Sequence, residues 1–321
     1  YDAATKQWVP ETGAAATHLP GQYLVKASDP AQGFVVENNK ILVNGNDETN
    51  NLYNSAGTKI SVVSEVTTFF DAREYDASAD AATNGVVKLT EIDIAKLNSA
   101  RIGSSTGSAL FPTAGTNGTI LYAYRTDSTP TTPNGIRLIN GSTLNNKMTM
   151  VTQNPLYIKG NFNNVAKKGV AVMSDSTNLL SNEWNDSMKS KANSSTLVNI
   201  PSTDLEVNAA IVTGNYETIA PDPSTGTAAK YNGGFENLPR FHENWGGTSK
   251  RVYIKGAFIN LQESQYGKGN WGKGGVYSAP KRSWDFDSFF LDPANLPPGY
   301  PISVASQRVV WWKERNLTFW P

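Results

Sequence analysis

The chain has 321 residues, with 28 Lys+Arg against 28 Asp+Glu, no cysteine and only 17% charged residues. A formal net charge of zero excludes a long-range field that would steer it to nucleic acid or to an anionic membrane. Without disulfides, stability rests on backbone hydrogen bonds and burial, for which 8 Trp, 13 Tyr and 12 Phe supply apolar area. Asn, Thr, Ser and Gly crowd the remainder, a composition that suits stacked strands joined by turns. No apolar run reaches the roughly 18 residues that cross a bilayer, and no signal peptide is present. The chain starts at Tyr1 and is read as mature or truncated, with any anchor removed.

Residues 22–25 (QYLV), 33–36 (GFVV) and 40–43 (KILV) read as strands, the last running into an Asn44-Gly45-Asn46 turn. Residues 58–70 are β-branched and alternating, which predicts another strand. Around 90–97 a short helix is expected, with Thr90 as its cap, Asp93 in its first turn and Ile94 and Leu97 on one face. Residues 99–119, rich in Gly, Ser and Thr, read as a loop. Further strands are expected at 120–124, 136–139, 148–151, 156–158, 170–173, 207–212 and 252–259. Several of these end on Asn or Gly, as at Asn140-Gly141 and Gly160-Asn161, and the segments 156–162 (LYIKGNF) and 252–258 (VYIKGAF) nearly repeat.

Short apolar strands that each close on an Asn/Gly turn suit a parallel, right-handed β-helix or solenoid with short capping helices and inserted loops. A β-sandwich would show the same strand lengths, but with clean in/out alternation. Nearly continuous apolar runs such as 208–212 favour strands covered on both faces, and so the solenoid. Inserts at 174–203 and 216–250 interrupt the spacing. The expected organisation is a β-rich segment at 1–64 packing on or capping the solenoid, a β-helix-like domain at 65–296, and a Trp-rich tail or cap at 297–321.

One ordered set of motifs carries a resemblance. It comprises FFDARE (69–74), TEIDIAKL (90–97), GIRLINGS (135–142), NPLYIKG (154–160), VAVMSD (170–175), NAAIVTG (208–214), GGFENLPRF (233–241), Trp245 and WDFD (284–287). In this order, over roughly residues 65–295, the chain resembles the C-terminal region of bacterial PilX-like pilus-assembly proteins. The resemblance implies export through a type IV pilin-like N-terminal helix, absent from this chain, and a β-helical ectodomain. It implies no catalytic mechanism.

Catalytic constellations are sparse. The two histidines, His18 and His242, in a chain with no cysteine, exclude the usual zinc sites. Facing carboxylates for glycoside cleavage, roughly 5–10 Å apart, could come from Asp285 with Asp287 or from Glu236 with Glu243. Asp285, Asp287 and Asp292 are also the candidate ligands for Ca²⁺, although no calcium-loop signature surrounds them. The loop GKGNWGKGG (267–275) lacks the P-loop pattern and reads as a surface loop presenting Trp271. Within 233–245, Pro239, Phe241 and Trp245 fit a short capping helix, with Arg240 paired to Glu236 or Glu243.

The tail gathers Trp311, Trp312 and Trp320 as a cap, an interaction patch or a donated strand. The resulting expectation is a non-enzymatic, exported component of a bacterial cell surface, structural or adhesive, with no cofactor. Its expected partners are copies of itself, pilus components or surface glycans, and its only membrane link is the missing N-terminal helix. A carbohydrate-binding adhesin, with Trp271 as a sugar platform, and a polysaccharide lyase or hydrolase on the same scaffold are the rival readings.

Overall fold

The computed structural model describes residues 33–71, 86–113, 118–129, 132–186, 201–218, 220–221, 223–226, 238–246, 250–267 and 278–300. The early strands are β1 (Gly33–Glu37), β2 (Lys40–Val43), β3 (Asn46–Asp47), β4 (Leu52–Tyr53), β5 (Val63–Phe70) and β6 (Val86–Asp93). A short helix α1 (Ile94–Ser99) and β7 (Arg101–Ile102) follow. The regular part consists of β8 (Thr119–Tyr124), β9 (Asn134–Ile139), β10 (Met148–Val151), β11 (Leu156–Lys159), β12 (Val170–Ser174) and β13 (Thr177–Leu180). It continues through β14 (Leu205–Asn215), β15 (Pro239–Phe241), β16 (Arg251–Glu263) and β17 (Lys281–Phe286), then two 3-10 turns at Ser288–Leu291 and Pro293–Asn295. The protein is mostly β.

Two parallel sheets dominate. One has the order β17-β16-β14-β12-β10-β8-β1-β2-β3 and the other β15-β13-β11-β9-β6-β5, while β4 and β7 form a small pair. From β8 to β16 the chain alternates strictly between the two, so each strand hydrogen-bonds the strand two elements away and packs across from the one that follows it. Antiparallel pairing within the large sheets is confined to one end, where β2 and β3 fold onto β1 and β5 folds onto β6.

Register alignment builds the core. In the larger sheet Phe34, Leu121, Met150, Val172 and Ile211 are successive Cα partners, and in the smaller one Ile92, Leu138, Ile158, Leu179 and Phe241 are. Both rows belong to one buried apolar cluster between the sheets. Each fully buried Leu, Ile or Phe contributes about 1.5–3 kcal/mol, so these ladders are the main source of stability. Asparagine makes the corners: Asn140 and Asn163 take φ of 56° and 54°, and the Asn163 amide donates to the carbonyls of Lys168 and Asn208, each at 2.8 Å.

The structure corrects three local expectations. Asp93, not Thr90, caps α1, its side chain accepting from Lys96 N, because β6 runs on through Thr90; Ile94 and Leu97 are buried as expected. Residues 239–241 form β15 rather than a helical turn, because Asn178 and Leu179 on β13 offer a ladder that a helix would leave open. β13 itself lies inside the stretch 174–203 read as an insert. The expected strand at 22–25 and the 268–275 part of the Gly-rich loop lie outside the described residues. Residues 33–64 supply β1 to β4 and the start of β5. Residues 297–300 lie on the outer face of the larger sheet, where Thr149 Oγ1 donates to the Pro298 carbonyl at 2.6 Å.

Candidate functional site

On β11 the side chains of Leu156 and Ile158 face the core, so Tyr157 emerges on the opposite face of the smaller sheet. There it is covered by a second apolar cluster containing Phe69, Leu180 and Trp184. Tyr157 Oη donates to Asp71 Oδ2 at 2.6 Å, and the other oxygen of Asp71 lies 3.6 Å from His242 Nδ1. His242 Nε2 is 2.8 Å from Asn178 Oδ1, which can only accept, so Nε2 carries a proton. Phe69, Tyr157 and Trp184 surround the imidazole at ring-centroid distances of 6.0–6.4 Å. Asp71 and His242 are fully buried.

This constellation has an acid, an imidazole and, nearby, a serine, but their connections differ from those of a nucleophile–base pair. The Ser181 hydroxyl sits on Glu243 at 2.5 Å, and Ser181 N donates to the same carboxylate at 2.7 Å. Glu243, considered beforehand as a glycosidase acid, thus holds the turn after β13, while its suggested partner Glu236 lies outside the described residues. Arg240 is buried and donates to the Gly267 carbonyl at 2.7 Å. What the cluster does chemically is clamp the 69–71 segment onto β11, β13 and the end of β15.

Two further buried cations act in the same way. Arg137 on β9 forms a fork onto Asp186 (2.6 and 2.8 Å), reaches Glu91 at 2.7 Å and lies 5.6 Å over the Phe69 ring. Desolvation is the largest single influence and pushes the Asp186 carboxyl up, but the hydrogen bonds and charge of Arg137, with the Trp184 hydrogen bond and the Lys159 charge, together outweigh it and hold that group below the ordinary carboxylate range. Arg125, just past β8, meets Asp127 at 2.7 and 3.0 Å, Glu65 at 2.7 Å and Thr90 at 2.9 Å. Its hydrogen bonds depress the carboxyls of Glu65 and Asp127. Apart from Thr90, expected as a helix cap, none of these partners was singled out from the sequence; a charged residue inside an apolar strand, as Arg137 is in GIRLI, was the available signal.

The calcium candidates are not brought together as a site. Both oxygens of Asp287 face Lys167 Nζ (2.7 and 2.9 Å), and the same side chain caps the turn at Ser288–Leu291. Asp292 caps the turn at Pro293–Asn295, and Asp285 stands on β17 with Lys255 as its ladder partner. Among the described residues no group of three His, Asp or Glu is placed to hold a metal ion. The interaction candidates Trp271, Trp311, Trp312 and Trp320, together with His18, lie outside the described residues.

The larger sheet carries a groove on its outer face. The register-aligned row Tyr122, Val151, Met173 and Val212 floors this groove of about 410 Å³, and Gln262 and Gln265 stand on its rim. The rim is held by Asp175, whose carboxylate accepts from Ser264 Oγ (2.6 Å), Gln265 N (2.6 Å) and Tyr266 N (3.0 Å). Sequence reasoning did not find this groove, because its floor is assembled from four strands separated by inserts. No protein-family model, curated protein or solved structure matches the chain.

Proposed function

We propose that the chain is a non-enzymatic structural or adhesive component of a bacterial cell surface, pilus-associated or part of an extracellular filament, and that its two sheets are faces of one parallel, right-handed β-helix. The strict alternation of β8 to β16 between two parallel sheets supports the helical path, each pair of strands amounting to one coil. The antiparallel strands β2, β3 and β5 then serve as the cap of one end. The order of motifs that resembles PilX-like proteins supports export and a pilus context.

The observation that carries the functional reading is how the polar chemistry is used. The His242, Asp71, Arg137, Arg125 and Glu243 side chains are tied into ladders and clamps that stiffen the scaffold. A stiff stack built this way suits load-bearing or display. Electron microscopy of native surface material, with intact-mass measurement of its subunits, tests the proposal. Regular filaments or pilus-attached particles containing this chain are expected. Recovery of the chain only as dispersed particles in the cytosolic fraction would overturn it.

A further inference from the structure

The groove on the outer face of the larger sheet owes its walls to a change of register. β14 and β16 pair residue by residue from Leu205 to Thr213, but Thr213 partners Asn260 while Asn215 partners Glu263, so Leu261 and Gln262 together oppose Gly214. Such a bulge bends its strand and re-aims the side chains on it. A Cβ at Gly214 would lie 2.6 Å from the Asp175 carbonyl oxygen and 2.9 Å from Ser264 N, so the close approach of the 264–267 turn depends on glycine there. The bulge and the turn place Gln262, Gln265 and Tyr266 in the groove lining, and the chain just past β10 adds Gln153.

This lining selects for chemistry. Its floor is apolar, with the half-buried Val151 and Met173 between the buried Tyr122 and Val212. Among the described residues that line it, Asp175 is the one charged side chain, and its carboxylate is occupied by Ser264 Oγ, Gln265 N and Tyr266 N. The side-chain amides of Gln153, Gln262 and Gln265 are exposed and hydrogen-bond to no described residue. Each carboxamide offers two donors and an acceptor. Strands in a sheet lie about 4.8 Å apart, so a floor spanning four of them is about 14 Å long. An apolar floor with a few convergent polar groups is the usual make-up of a small-ligand site.

We infer that the groove binds a short, uncharged oligosaccharide, its sugar rings lying on Val151 and Met173 and its hydroxyls meeting the amides of Gln153, Gln262 and Gln265. An ionic ligand would leave water without a free opposite charge to meet. A peptide strand is captured at a sheet edge, whereas the floor strands β8, β10, β12 and β14 are each paired on both sides. The inference deepens the adhesive half of the reading above and rests on it for access to glycans.

Calorimetric titration of the full chain tests it, with cellotetraose, maltotetraose and tetraacetylchitotetraose as neutral probes and tetragalacturonate as the charged counterpart. At least one neutral probe is expected to bind with a Kd of about 1 mM or tighter, and tetragalacturonate at least about tenfold more weakly. Gln262→Ala and Gln265→Ala truncate exposed side chains, so each should keep the parent's melting temperature yet weaken binding about two- to tenfold. Met173→Glu, which sets an unpaired charge on the floor, should abolish binding. Failure of all three neutral probes, or binding that none of these changes weakens, would overturn the inference. Loss of binding on Trp271→Ala alone would do the same, by placing the sugar on the 267–275 loop. Two other occupants are read without sugar. Contacts between the Met173 methyl and tryptophan rings by NMR would mean that the chain fills its own groove, and dimers dissolved by Met173→Glu would assign the floor to a second copy; either result also overturns the inference. Binding is measured on the isolated chain and microscopy on native material, so the two readings fail separately.

Discussion

Two glycines in identical tetrapeptides show how little a residue's meaning is local. Gly160 and Gly256 both end the string Tyr-Ile-Lys-Gly. Gly160 turns the chain at φ +80°, where an L side chain is strained by about 1–2 kcal/mol. Gly256 sits inside β16, and a Cβ there would lie 1.7 Å from the Ala209 carbonyl oxygen on β14. Gly256→Ala must therefore move backbone, whereas Gly160→Ala adds conformational strain and meets the Asn182 side chain at 2.9 Å. We expect Gly256→Ala to cost about 3 kcal/mol and Gly160→Ala about 1 kcal/mol. Urea unfolding midpoints measure both; equal losses would contradict the close approach of β16 to β14. The near-repeat around these glycines was visible in the sequence, but it does not mark equivalent positions, since β11 and β16 lie in different sheets.

At the scale of elements, the clearest dependence is that of the 264–267 turn on the corner between β12 and β13. Asp175 supplies both carboxylate oxygens to Ser264, Gln265 and Tyr266, while its backbone carbonyl accepts from Gly214 N at 3.0 Å. Asp175→Ala would strand these donors beside the groove and cost about 2–3 kcal/mol. Asp175→Asn, which keeps an acceptor, should recover part of that loss. Hydrogen exchange at Gln265 and Tyr266 reads the effect directly: their protection should vanish in the Ala variant ahead of the β14 amides. Unchanged exchange would mean that the turn holds itself. β15 makes the complementary point. The four-residue spacing of Phe241 and Trp245 imitates a helix face, and the two rings do lie 6.1 Å apart, yet residues 239–241 pair as a strand with β13.

Across the whole molecule, two buried arginines anchor charges from distant parts of the chain, and this fixes the response to pH. Glu65 and Asp127 are depressed first of all by hydrogen bonds from Arg125, and Asp186 by those from Arg137 against its own desolvation. A carboxylate depressed on folding adds stability that is complete above its unfolded value, about 4, and is lost as pH falls through the folded value. The melting temperature should therefore be nearly level from about pH 5 to 7 and fall progressively below about pH 4. Calorimetry across that range is the check. A level profile down to about pH 2 would show that these pairs form equally in the unfolded chain.

The sequence by itself determined the all-β character and most strand positions. Residues 148–151 are a strand with the bounds that their apolar run implies, and the Asn and Gly corners at 140 and 160 follow from the positive φ that those residues tolerate. These properties depend on neighbours a few positions away. Only the tertiary structure decided which sheet each strand enters, and which polar side chains face inward to one another. The outer ladder Glu91, Arg137, Tyr157, Asn178 and Arg240 joins residues from five strands, and the Asp71–Tyr157 bond spans 86 positions. A buried polar group is stable only where its partners arrive, and here they arrive by stacking of strands whose spacing along the chain is irregular.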